Sequence, residues 1–180
     1  MGLVLAVPDP STPAIAEEAE MLRKLLPNAR VFVGEEAGAD LLREHGPKAG
    51  KLHIAAHGVF RADNPMFSSL KLGDSWLNLV DIFNLKLGAE LTTLSACETG
   101  MSALYEGDEL LGLTRGFLSA GTPSLVVSLW RVNDRSTTLL NEALLRGLVG
   151  RLVEAGGFAS GRDRRKSAIS PSLLFGHHSS

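Results

Sequence analysis

The lone cysteine of this chain, Cys97, sits in the run L-T-T-L-S-A-C-E-T-G, Leu91 to Gly100. Leu91, Thr92, Thr93 and Leu94 are apolar or β-branched, as suits a strand in a covered sheet. Ser95 and Ala96 are small, and a polar turn after the thiol closes at Gly100. Open α/β sheets place their chemistry at the carboxyl ends of strands, where this thiol would lie. Taken alone, Cys97 reads first as a small core hydrophobe, the usual fate of a single intracellular cysteine. A second run, K-L-H-I-A-A-H-G, changes that balance. It is another short apolar strand, from Lys51, and it ends in His57-Gly58. If the two strands are parallel neighbours, His57 and Cys97 emerge on one rim. A histidine within reach of a thiol takes its proton, and the thiolate is the nucleophile. The bland alternative for His57 is a core or turn histidine bonded to a backbone carbonyl. Two matching strand ends favour the catalytic pair.

The elements that must position this pair follow in order. Leu3 to Val7 is a buried first strand, ended by Pro8 and Pro10. A helix is expected from Pro13 through Leu26, with Ile15, Ala19, Leu22, Leu25 and Leu26 inward. Its Glu17, Glu18, Glu20, Arg23 and Lys24 read as a solvated face ordered along the helix dipole. Arg30 to Val33 is a second strand, and Glu35 to His45 a second helix with Ala39, Leu41 and Leu42 inward. His45 reads as a surface residue. Strand, helix, strand, helix, strand is the pattern of a parallel sheet with covering helices. His53 and His57 share a strand face, but no third ligand is apparent, so a metal site is not expected. Ser68 to Leu72 and Ser75 to Leu77 suit a small hairpin, and Leu79 to Leu85 a short helix. Phe67 and Trp76 are placed to flank a groove or to cover the core. Asp108 suits a helix N-cap, Leu110, Leu113, Phe117 and Leu118 its apolar face, and Gly121 its end. Ser124 to Leu129 is a further strand, and Arg135 to Leu148 a further helix.

Composition excludes several classes. With 180 residues, 44% hydrophobic and 21% charged, the chain has the make-up of one globular domain. A net charge of −2 gives no reason to expect nucleic-acid or membrane contact. One cysteine makes no internal disulfide and no thiolate-rich zinc site, which points to a reducing, cytoplasmic setting. The apolar start is too short for a signal peptide, Ala6 breaks the myristoylation pattern, and no apolar run spans a bilayer. There is no phosphate-binding loop, no G-x-S-x-G elbow, no H-E-x-x-H and no internal repeat.

Five segments in order carry a resemblance: A-A-H-G, N-P-M-F-S-S-L-K-L, L-S-A-C-E-T-G, G-D-E-L-L-G-L-T-R-G-F-L-S-A-G and S-L-W-R-V-N-D. From about Leu3 to about Gly147 the chain resembles the CHAT domain, a caspase-like cysteine peptidase family related to caspases and separases. The resemblance implies a three-layer α/β fold, a mostly parallel central sheet with helices on both faces. It implies His57 as general base and Cys97 as nucleophile in peptide hydrolysis through a thioester, with no cofactor. The backbone amides of Gly58 and Cys97 would hold the oxyanion. In caspase relatives the residue two before the nucleophile lines the specificity pocket, which here is the neutral Ser95. Glu98, Asp108, Glu109, Trp130 and Asp134 are further rim candidates, although each acid also suits a cap or a solvated charge. The expected partners are a protein or peptide substrate and a tetratricopeptide-repeat or other sensor on another chain. The rival expectation is a catalytically silent scaffold of the same fold.

The domain is expected to occupy residues 1–150, without a recognisable final aromatic-rich strand. Residues 151–180, rich in glycine, serine and R-D-R-R-K, are expected to form a divergent, disordered tail. A sheet lacking its last strand implies weak or latent activity in this chain alone.

Overall fold

The computed structural model describes residues 1–59, 61, 64–98 and 108–129. The predicted tail, the helix expected over residues 135–148, and Trp130 and Asp134 lie outside the described residues.

Five strands form the parallel sheet: β1 (Gly2–Ala6), β2 (Ala29–Val33), β3 (Lys51–Val59), β6 (Leu91–Glu98) and β7 (Leu125–Leu129). β1 pairs with β2 on one side and β3 on the other, β3 pairs with β6, and β6 with β7. A hairpin, β4 (Ser69–Lys71) and β5 (Trp76–Asn78), joins antiparallel to the end of β3 through Gly58 and Val59. The fold is therefore α/β with a mostly parallel seven-stranded sheet. The chain runs from β1 outward to β2, then returns to the other side of β1 to make β3. The sheet thus reverses its winding between β1 and β3. Such a reversal opens a crevice at the carboxyl ends of the two strands.

Strand alternation sends successive side chains to opposite faces, each covered by helix. On one face Ile15 and Ala19 of α1 (Ala14–Leu25) pack on Ala6, Ala55, Val31 and Val33. The other face carries the larger core. There Leu3, Leu5, Leu52, Ile54 and Leu94 meet Leu42 of α2 (Ala39–His45), Leu79 and Ile82 of α3 (Leu79–Phe83), and Leu113 and Phe117 of α4 (Asp108–Ser119). α4 ends as its sequence predicts. Gly121 takes a φ of 112°, its amide donates to the Leu118 carbonyl, and the Thr122 amide donates to that of Phe117. That pair of bonds closes the helix in a Schellman motif. Leu118 does not join the apolar face. It follows the buried Phe117 by one residue and is turned outward, 45% exposed.

The helix expected over Glu35 to His45 is broken. Gly34–Glu36 make a single 3-10 turn, and α2 starts only at Ala39, after an extended Gly38. The cause lies far away in sequence. The Asp74 carboxylate, in the β4–β5 turn, accepts the Ala39 amide at 2.9 Å and fills the space a side chain at Gly38 would need. His45, expected on the surface, stacks instead on Phe32 with rings 9° from parallel.

Asp74 yields a pH prediction. Burial opposes its charge, but the Ala39 amide, the Ser75 hydroxyl and the Asp40 amide outweigh burial and hold the carboxyl below its ordinary value of 3.8. A depressed carboxyl stabilises the fold fully above its unfolded value and loses that contribution as pH falls through its folded value. Asp74→Asn is expected to lower the urea midpoint at neutral pH. The gap from wild type should close on acidification, and a gap that persists at low pH would rule out a charge effect.

Candidate active site

β3 and β6 run side by side from Lys51↔Leu91 to Gly58↔Glu98, with His57 and Cys97 at one register position. Adjacent strands lie about 4.8 Å apart, so these two backbones are near neighbours. Both strands run further than their sequence suggests. His57 and Cys97 lie inside the last turn of pairing, and the Gly58 and Cys97 amides are one position apart across the ladder.

The His57 ring is held on two sides. Its Nδ1 lies 3.8 Å from Asp9 Oδ2, and both side chains are mostly buried, 12% and 15% exposed. The edge of Trp76 packs against it with ring centres 6.1 Å apart. Trp76 and Phe67 remain 47% and 63% exposed, so neither is a core cover. Burial works against a charged Asp9, yet bonds from Ser11 and Thr12, together with His57, keep its carboxyl below the ordinary range.

Two positions further down the same sheet face lies a second polar cluster. Glu18, read from sequence as part of a solvated face, turns into the sheet and is only 13% exposed. Its Oε2 accepts the Ser95 hydroxyl at 3.0 Å. Its Oε1 lies 3.2 Å from His53 Nε2, off the line of a hydrogen bond, so that contact is one of charge and dipole. His53 Nδ1 meets the Thr93 hydroxyl at 2.6 Å. If Thr93 donates there, Nε2 carries the ring proton toward Glu18, which suits both partners. Ser95 thus has a carboxylate from α1 beside it. A signal for this was present, because Glu18 stands three residues after Ile15 and four before Leu22, on the edge of the apolar stripe. Asp9 was also missed. Its signal was an Asp-x-Ser turn directly after the first strand.

Of the other candidates, Glu98 ends β6, and Asp108 and Glu109 open α4. Among the described residues, no three His, Cys, Asp or Glu side chains gather as a metal site would require. Nor is any described helix long and apolar enough to cross a membrane.

A three-layer α/β sheet carrying a histidine and a cysteine at one register position, on the carboxyl rim of adjacent strands, has the layout of a caspase-like domain. The chain belongs to the CHAT domain family, whose sequence model matches residues 2–160. No curated protein matches it. Among solved structures it is similar to a flavodoxin from Streptococcus pneumonia TIGR4, with a TM-score of 0.53 and 16% identity over 86% of this chain and 97% of that one. At that identity the likeness concerns the fold alone.

Proposed function

We propose that the chain is a cysteine endopeptidase in which His57 takes the proton of Cys97 and the thiolate attacks a peptide carbonyl. The observation that carries this reading is the shared register of His57 and Cys97 on adjacent parallel strands. Attack gives a tetrahedral oxyanion, for which the Gly58 and Cys97 amides are the proposed donors. Collapse expels the amine, protonated by His57, and leaves a thioester that water then hydrolyses. A chain with a single thiol suits a reducing, cytoplasmic compartment, with a sensor partner governing access. Treating the protein with a peptidyl electrophile separates an enzyme from a silent scaffold. Mass spectrometry should find a single adduct on Cys97 that depends on His57, and no adduct would favour the scaffold. Comparing cleaved proteins in cells expressing wild type or Cys97→Ala would then identify substrates.

Ser95 is the proposed pocket residue, with Glu18 behind it. Ser95→Asp would set a second carboxylate about 3 Å from the first, a repulsion that a bound cation relieves. A peptide library is expected to gain preference for Lys or Arg before the cut. An unchanged profile would place the pocket elsewhere.

A further inference from the structure

We propose that Asp9 is the positioning residue for His57, making the site a relay of three groups drawn from three adjacent strands. The inference rests on the dyad reading above and adds a role for the loop after β1. Topology brings the two groups together. Asp9 follows β1 by three residues and His57 lies near the end of β3, so they meet across the crevice where the sheet reverses.

Asp9 is built to stay where it is. Its Oδ1 accepts the Ser11 amide at 2.7 Å and also the Ser11 hydroxyl. Its own amide donates to Thr12 Oγ1 at 3.2 Å, and the Thr12 amide donates back to the Asp9 carbonyl at 3.0 Å. Thr12 is itself buried, and Pro8 and Pro10 restrict the backbone on both sides. Oδ1 is thus committed to the turn, and Oδ2 is left toward His57 Nδ1. The gap of 3.8 Å is an ion-pair distance, longer than a hydrogen bond. Catalytic bonds are often long in empty sites and tighten around substrate.

The chemistry follows from which nitrogen holds the proton. With Nδ1–H directed at Asp9, Nε2 is the unprotonated nitrogen that receives the thiol proton. Asp9 stays ionised throughout and stabilises the imidazolium that forms, as a buried carboxylate does beside a catalytic histidine. His57 in turn helps hold the Asp9 carboxyl low. Among the described residues, two further groups on this face bear on the pair. Glu18 from α1 accepts the Ser95 hydroxyl and faces His53, and Cys97 lies at the register position of His57 on β6.

The test uses the full chain and two readouts. The first is nitrogen-15 NMR of the His57 ring, which reports its tautomer whether or not Cys97 reacts. Asp9→Asn keeps an oxygen for the Ser11 bonds but removes the charge. It is expected to shift the ring away from the Nδ1–H form, and an unchanged spectrum overturns the proposal. The second is the rate of Cys97 alkylation by iodoacetamide. Asp9→Asn should slow it about 10- to 100-fold, the cost of a misoriented base, with little change in melting temperature. Asp9→Glu, which keeps the charge, should recover most of the rate and serves as the variant if the Asn chain folds poorly. Ser11→Ala should lower stability but leave the tautomer in place. If His57→Ala slows alkylation and Asp9→Asn does not, the dyad stands and the positioning role is overturned. If neither slows it, both fall.

Discussion

Cys97→Ala is expected to abolish peptide turnover, and His57→Ala to lower it by about a thousandfold or more, the usual range for a general base. The double variant should be no worse than Cys97→Ala, because nucleophile and base act as one unit. Neither change should unfold the domain. The strands carrying them are held by a ladder of eight register pairs and by the Leu52, Ile54 and Leu94 core on the far face. His57 does contact Trp76, so His57→Ala should lower the melting temperature slightly. Wild-type proteolysis in either single variant would refute the assignment. Loss of activity accompanied by a collapsed melting curve would refute only the claim that the pair is structurally dispensable.

Glu18→Ala is expected to be the most destabilising single change at the charged positions of α1. It leaves the half-buried Ser95 hydroxyl without its acceptor and removes the charge that faces His53 Nε2. Each buried group left without a partner costs about 1–3 kcal/mol. Losing the Ser95 acceptor therefore costs about 1–3 kcal/mol, a large share of the ~5–15 kcal/mol that holds a domain together. Glu17 and Glu20, its exposed neighbours, should each cost less than about 0.5 kcal/mol when changed to alanine. Urea denaturation reads the difference as a shift in midpoint at constant slope. Glu18→Gln keeps one acceptor oxygen and should cost less than Glu18→Ala. If all three glutamates behave alike, Glu18 is a surface residue after all and the cluster carries no weight.

Much of the architecture was legible because it depends on local pattern. Val4 and Leu5 in a short apolar run, Ile15, Ala19 and Leu22 at helical spacing, and Gly121 after Ala120 announce strand, helix and stop through interactions within a few residues. The hairpin was legible for the same reason, since Gly73 separates two short runs with strand character. The expectation for Glu35 to His45 failed where a distant group intervened. A helical pattern describes the preference of its own residues, and it cannot register that Asp74, thirty-five positions from Ala39, will take the first amide of α2.

The same division runs through the candidate site. Cys97 taken alone reads as a core hydrophobe, and it was the matching strand-end motifs around Cys97 and His57, both local, that marked the pair. Whether the two would share a register position was a matter of strand order, which only the assembled sheet decides. Asp9 and Glu18 show this further. Each looked like an ordinary charge, one in a turn and one on a helix. Their partners, His57, Ser95 and His53, lie dozens of residues away and arrive only when β1, α1, β3 and β6 pack. Burial gives a carboxylate its weight, by stripping away water and leaving a few fixed partners to set its energy. Burial belongs to the folded chain as a whole, so no stretch of the sequence read on its own contains it.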